Sequence, residues 1–361
     1  VFQDGSTIKG IDSKIIQLVC LVVFLFFVWI ASRGVNSLGK IGTIAGTAMF
    51  VMSILYIILM LTAPAITGTS IASPNMTSIK TYIPKFDFAY FTTIAMLVFS
   101  VGGAEKISPY VNNMKDSKKG FSKGMIALAI MVAVTALLGS VAMGMMFDAN
   151  HIPKDLMMNG QYYAFQKLGE YYGIGNVFLI IYAIANALAQ ISALIFSIDA
   201  PLKVLLSETD DNFVPKGLTK TNKYGAPIKG YLMTAILVGI LIIVPALGIG
   251  NVNELYNWLL RLNAVVMPLR YLWVFLAFIL LKKAGDKFKT DYKFVKNDKL
   301  ALAIGVWCFA FTAIACILGM APQGVEALTG GWWFQLILNV ATPFILIGLG
   351  FILPKIARRQ K

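Results

Sequence analysis

Two glycines and two charged residues interrupt one apolar run of the sequence, a combination that suits binding of a small charged molecule. The run begins near Phe88, and the interruption reads Phe99-Ser100-Val101-Gly102-Gly103-Ala104-Glu105-Lys106. Adjacent glycines weaken a helix, and Pro109 removes a backbone donor shortly afterwards. Freed N–H groups at a helix end favour an anion, and unwound carbonyl oxygens favour an ammonium group. The alternative is a helix kinked for packing, with Glu105 and Lys106 near its end.

The composition places this interruption in a membrane. Hydrophobic residues make up 58% of the chain and charged residues 13%, whereas soluble domains average about 45–50% and about 25%. The mean hydropathy of +0.75 agrees. A charged side chain at bilayer depth is costly, so an ionisable residue such as Glu105 indicates a functional site.

Nine apolar segments are long enough to cross the hydrocarbon core, which takes about 20 residues per helix. They are about 15–32, 41–63, 88–111, 124–147, 175–199, 231–249, 255–281, 300–320 and 333–353. Because the runs are continuous and do not alternate, we predict helices and not barrel strands. The predicted fold is an all-α polytopic bundle with one transmembrane domain over 1–361. Pro201 is expected to end the fifth span.

The net charge of +14 indicates a topology and not a nucleic-acid partner. Most Lys and Arg residues lie in one set of alternating loops. The other set contains only Lys9, Lys14, Lys80, Lys85, Lys154 and Lys167. This positive-inside bias predicts a cytoplasmic C-terminus in the cell membrane. The start of the chain then lies outside, and we expect that opening helices are missing before Val1.

The residue inventory argues against an enzyme. Cys20, Cys308 and Cys316 all fall in predicted spans and show no metal-ligand spacing, and His151 is the only histidine. A zinc site and a histidine-based triad are therefore not expected. No nucleophile–base set or phosphate-binding loop is present either. We expect no catalytic residues, no metal and no cofactor.

Two further spans carry polar residues that could line a cavity. Tyr182, Asn186 and Gln190 are spaced four apart and share a helix face, although interhelical hydrogen bonding alone could explain them. Arg270 lies near the middle of the span 255–281, where an arginine needs a partner or a wet cavity. We hypothesise that it faces Glu105, as a counter-charge or as a contact for a substrate carboxylate. Arg261 lies further out and could extend towards the surface.

The loop 148–174 is rich in tyrosine. Tyr162, Tyr163, Tyr171 and Tyr172 suggest a short amphipathic piece at the membrane surface. An aromatic belt without further role and a lid are both compatible with this composition.

The chain resembles amino acid permeases of the amino acid–polyamine–organocation (APC) superfamily, nearest its glutamate/GABA antiporter-like bacterial members. The resemblance covers essentially the whole chain. Its motifs are Phe99 to Glu105, Asn112-Asn113-Met114-Lys115, Lys119-Gly120, the Arg33-Gly34-Val35 to Lys40 link and the Pro215 to Pro227 loop.

The resemblance implies a LeuT-like fold of twelve helices built from two inverted repeats, with the nine spans as helices 4–12. The segment 88–111 would be a broken helix whose break binds the amino and carboxyl groups of an amino acid. Phe99 would be the aromatic gate and Glu105 the gating glutamate. The first broken helix of the family, which supplies the other half of the site, would be missing.

The resemblance implies secondary active transport of amino acids by alternating access, as an antiporter or a proton symporter, with glutamate/GABA-type exchange as one form. The different class kept open is a truncated, non-transporting membrane protein or an accessory or sensor subunit. The expected site residues are Phe99, Ser100, Val101, Gly102, Gly103, Ala104, Glu105, Tyr182, Asn186 and Arg270. Expected partners are the amino acid, the lipid bilayer and, in a coupled cycle, protons.

Overall fold

A computed structural model describes residues 13–33, 38–76, 78–104, 111, 117–153, 155–206, 213–246, 252–287, 293–323 and 325–360. The helices in this part of the chain are α1 (Ser13–Ala31), α2 (Leu38–Thr67), α3 (Phe88–Ser100), α4 (Ser117–Met146), α5 (Leu156–Tyr171), α6 (Val177–Leu206), α7 (Ile228–Ala246), α8 (Val252–Lys283), α9 (Asp298–Gly319) and α10 (Gly330–Arg359). Shorter helical turns lie at Ile79–Tyr82, Lys216–Thr219 and Gly285–Lys287.

The all-α fold class is confirmed: the described residues contain helices and no strand. Seven of these helices are long and apolar enough to cross a membrane, and α3 and α7 are shorter apolar helices. Large apolar side chains on the outside, such as Leu137 and Trp307, each 71% exposed, are what lipid-facing positions require. Each predicted span overlaps one of the helices.

The expected end of the fifth span at Pro201 is wrong. Helix α6 continues through Pro201 and ends at Leu206. A proline removes one intrahelical donor, but in a packed membrane helix local adjustment and neighbouring groups can compensate for it. Buried Leu202 and Leu206 lie in a cluster with Val214 and Tyr231, and this packing favours the extra turn.

The chain folds into two compact units. Unit 1 comprises residues 1–82, 130–257 and 353–361. In it, α2 packs against α6 and α5. The core between these helices contains Met60, Met146 and Leu168, which are fully buried. It is rich in methionine and aromatic residues, which fill irregular gaps between helices well.

Unit 2 comprises residues 83–129 and 258–352, and its main helix packing joins α3 to α9. The helices touch at Gly319, where an added Cβ would overlap the Cβ of Ala95. Small residues at such a contact allow two membrane helices to approach closely. Asp87 caps the start of α3, because its carboxylate accepts a hydrogen bond from the Tyr90 N–H at 2.8 Å. These contacts fix the position of α3 and therefore of its far end.

Candidate functional site

Helix α3 ends at Ser100, inside the predicted span 88–111. Its last turn closes with hydrogen bonds from the Val101 N–H to the Leu97 carbonyl oxygen at 3.4 Å and from the Gly102 N–H to the Phe99 carbonyl oxygen at 3.1 Å. Gly103 has a φ of +111°, a backbone conformation that residues with a Cβ rarely adopt. The predicted interruption at the glycine pair is therefore present.

Helix α8 packs directly against this interruption. The backbone N–H of Gly103 donates to the hydroxyl oxygen of Tyr271 at 2.5 Å. A Cβ on Gly102 would lie 2.7 Å from both the Met267 Cε and the Tyr271 Oη, so a larger residue here would have to displace the ends of these two side chains. Tyr271 and Met267 were not among the expected site residues. They lie one turn apart beside Pro268, and this position is the signal that the sequence offers for them.

The other residues of the interrupted segment differ in exposure. Phe99 is half-buried, Val101 is exposed and Ser100 is exposed, with its hydroxyl donating to the Leu97 carbonyl oxygen at 2.8 Å. Gly102, Gly103 and Ala104 are half-buried. Glu105 lies outside the described residues. The glycine backbone is therefore partly accessible, and the exposed side chains of the segment are those of Ser100 and Val101.

Arg270 is related to the interruption through Tyr271, the next residue in the sequence. Its side chain is exposed, and the adjacent Tyr271 is the residue that contacts Gly103. The hypothesis that Arg270 faces Glu105 stays a prediction, because Glu105 is not among the described residues.

Tyr182 and Asn186 lie in unit 1, on α6. The Tyr182 hydroxyl donates to the Oε1 of Gln161, and the Asn186 Nδ2 donates to the Tyr162 hydroxyl at 2.8 Å. The Gln190 Nε2 donates to the Asn186 Oδ1 at 3.3 Å. The polar face expected on α6 therefore exists, and α5 supplies its partners.

Helix α5 is more than a surface piece of the loop 148–174. Ala164, Phe165 and Leu168 on α5 are buried, and the Phe165 ring stacks on the Tyr182 ring with centroids 4.4 Å apart. Gln161 and Tyr162 were not selected as partners of Tyr182 and Asn186. Helix α5 thus covers the polar face of α6 within unit 1.

A second polar set in unit 2 links three elements. The Arg261 guanidinium donates to the Gln323 carbonyl oxygen, and the Gln323 Nε2 donates to the Thr92 carbonyl oxygen on α3 at 2.8 Å. The half-buried Arg261 side chain thus reaches the loop after α9. Gln323 and Thr92 carried no signal in the sequence, because their pairing depends on the packing of distant segments.

The described residues offer no group of three His, Cys, Asp or Glu side chains that could hold a metal ion, and their cysteines are free thiols. The one histidine, His151, has its Nδ1 2.7 Å from the Asp148 Oδ2 in the loop after α4. This contact and the N–H of Asn150 hold the pKa of the Asp148 carboxyl below its usual value.

The sequence is similar to those of known transport proteins. The sequence model of the amino acid permease family matches residues 7–342. The aspartate/glutamate permease AcaP of Lactococcus lactis is 53% identical over 360 residues, which is 99% of this chain and 74% of that protein. The inner membrane transporter YjeM of Escherichia coli is 23% identical over 352 residues, or 90% of this chain and 68% of that protein.

These matches confirm the resemblance to APC-type permeases and make the chain a multi-pass membrane transporter for amino acids, not an enzyme. The chain belongs to the amino acid permease family.

Proposed function

We propose that the chain transports acidic amino acids, aspartate and glutamate, across the cell membrane by secondary active transport. The observation that carries the proposal is the 53% identity over 99% of the chain to a protein named for aspartate and glutamate transport. The interrupted helix end at Gly102 and Gly103 gives this transport a physical basis, since a substrate site at a broken helix is typical of secondary transporters.

The proposed substrate position is the segment from Phe99 to Glu105. Its half-buried glycine backbone can approach a ligand more closely than backbone that carries side chains. The α-carboxylate would accept hydrogen bonds from N–H groups at this break, and the α-amino group would bind carbonyl oxygens there. Phe99 would close over the substrate as the gate, and Glu105 would act as the gating acid.

An acidic substrate brings a second carboxylate, which needs a cation or several donors. We assign this role to Arg270, since α8 contacts the interruption through the adjacent Tyr271. Tyr182 and Asn186 on α6 are proposed to take part in transport within unit 1. The proposed mechanism is alternating access in a LeuT-like inverted-repeat fold. In this proposal, the family's helices 4–12 are among α1 to α10.

The positive-inside pattern of Lys and Arg supports a cytoplasmic C-terminus in the cell membrane. Protons are the proposed coupling ion, because a carboxyl group such as Glu105 can take up and release a proton during the cycle. Exchange of one amino acid for another is the competing coupling mode.

Reconstitution into liposomes tests the proposal. The protein is expressed with any upstream sequence that its gene encodes and is reconstituted. The liposomes are loaded with glutamate, and their uptake of labelled aspartate, glutamate, GABA, leucine and lysine is measured. We expect aspartate and glutamate to enter and the others to be rejected. Repeating uptake with a proton gradient and no internal substrate separates symport from exchange. Equal uptake in liposomes that lack the protein, or preference for a neutral or basic substrate, would contradict the assignment.

A further inference from the structure

Unit 2 contains a small cavity at the outer part of α3, away from the glycine pair. Helices α3, α8, α9 and α10 and the loop after α9 line it. The polar lining residues are Thr92, Trp258, Arg261, Gln323, Gln335 and Asn339. Its room corresponds to about one water molecule.

Most polar atoms around this cavity already have partners. The Gln323 Nε2 donates to the Thr92 carbonyl oxygen at 2.8 Å. The Asn339 Nδ2 donates to the Met320 carbonyl oxygen at 3.2 Å. These bonds orient Gln323 and Asn339 and leave the opposite atom of the Asn339 amide for another donor.

Two buried atoms of the lining residues have no protein partner. They are the Trp258 Nε1, a donor, and the Asn339 Oδ1, an acceptor. Trp258 is 7% exposed and Asn339 is 6% exposed. Buried polar atoms are nearly always paired with protein or ordered water, because an unpaired one loses its hydration without compensation.

We propose that this cavity is a binding site for one ordered water molecule, which accepts from the Trp258 Nε1–H and donates to the Asn339 Oδ1. A buried water usually makes about three hydrogen bonds, and the nearby Arg261 guanidinium or Gln335 amide supplies the next contact.

The chemistry of the two atoms selects water over other occupants. A halide or a carboxylate would accept from Trp258 and Arg261 but would face the Asn339 oxygen without a proton to offer. A metal ion or an ammonium group would face the Trp258 N–H and the Arg261 charge. Water satisfies a donor and an acceptor together, and an amino acid is too large for the cavity.

The water makes the contact between α10 and the helix pair α3 and α8 a solvated one. Direct side-chain contacts fix one geometry, whereas a water can reorient while keeping its partners. The site is separate from the proposed substrate segment and stands whatever the substrate is.

An isosteric replacement tests the site. Benzothienylalanine, incorporated at position 258 alone, keeps the shape of tryptophan but has sulfur in place of the N–H. If water fills the cavity, this change removes a made hydrogen bond and lowers Tm by at least about 2 °C. If the cavity is dry, the change removes an unpaired buried donor and raises Tm. The same replacement at Trp273, which is 59% exposed on the same helix, is the control and leaves Tm unchanged.

X-ray radiolytic footprinting gives an independent readout, since ordered internal waters yield hydroxyl radicals that label adjacent side chains. We expect Trp258 to be labelled at least as fast as Trp273 in detergent or nanodiscs, in spite of its burial. We also expect the Trp258 label to fall severalfold in the variant Asn339→Leu, which removes one water partner. A rise in Tm of the isosteric variant, or background labelling at Trp258, would overturn the proposal.

Discussion

The Gly103 N–H and the Tyr271 hydroxyl oxygen lie 2.5 Å apart, although 168 positions separate them in the sequence. The bond occupies a backbone donor that belongs to the interrupted segment, and it ties that segment to α8. It gives the helix end a defined position in unit 2.

Tyr271→Phe keeps the ring and removes the acceptor for Gly103. We expect a loss of about 1 kcal/mol in stability and a severalfold rise in KM for aspartate, because the segment is less well positioned. Tyr172→Phe is the matched control: it removes a 2.8 Å hydrogen bond to the Leu59 carbonyl oxygen in unit 1 and should change Tm without changing KM. An unchanged KM in Tyr271→Phe would contradict the positioning role.

Gly102→Ala adds a methyl group where the Met267 Cε and the Tyr271 Oη already lie 2.7 Å from the Cβ position. We expect overpacking to cost about 1–3 kcal/mol and uptake to fall at least tenfold, with Gly102→Val worse. Gly348→Ala is the control, since nothing lies within 4 Å of its Cβ position and alanine is favoured in a helix. Uptake at wild-type level in Gly102→Ala would mean that transport does not depend on the close contact between α8 and this segment.

Arg270→Met removes the proposed cation for the second carboxylate of the substrate. We expect aspartate and glutamate uptake to fall at least tenfold, because the carboxylate then lacks a counter-charge in a medium where isolated charges are costly. Arg270→Lys retains the charge and should keep part of the uptake, whereas Trp273→Phe on the same helix should keep nearly all of it. Unchanged uptake and affinity in Arg270→Met would remove Arg270 from the site.

Tyr182→Phe removes the hydrogen bond to Gln161 and keeps the stacking on Phe165. We expect thermal stability to fall by about 1 kcal/mol and uptake to fall severalfold, as α5 is held less firmly over α6. Tyr56→Phe is a matched control in the same core, since the Tyr56 hydroxyl donates to the sulfur atoms of Met143 and Met146. If Tyr182→Phe and Tyr56→Phe lower stability and uptake equally, the hydrogen bond between Tyr182 and Gln161 has no special role in transport.

The ionised Asp148 carboxylate contributes to the folding stability of unit 1, and this contribution depends on pH. Its pKa lies below the usual 3.8 because His151 and the Asn150 N–H hydrogen-bond to it. Its stabilisation is therefore complete above pH 3.8 and is lost as the pH falls through the lowered pKa. Asp148→Asn should lower Tm slightly at neutral pH, and the difference from wild type should vanish in acid. Asn150→Ala, which keeps the carboxyl and the backbone N–H, should retain that pH profile; a constant difference for Asp148→Asn would contradict the assignment.

The sequence predicted the structural features that depend on residues close together in the chain. The glycine pair at Gly102 predicted the end of α3, and apolar runs of bilayer length predicted the long helices. Pro201 misled the prediction, because helix packing around Leu202 and Leu206 outweighed the lost backbone donor.

The candidate site could be predicted only in part. The four-residue spacing of Tyr182, Asn186 and Gln190 located a polar face, but not its partners Gln161 and Tyr162 on α5. The bond from Gln323 to Thr92 joins residues 231 positions apart. No periodicity in one sequence specifies which distant side chain reaches which carbonyl, because that depends on the packing of whole helices.

The contact between Gly319 and Ala95 sets how unit 2 can deform. Only the methyl group of Ala95 lies between the two backbones at that point, so α3 and α9 are in close contact there. A tilt of α3, the helix that precedes the glycine pair, would therefore displace α9 as well, and the two helices would move together during transport.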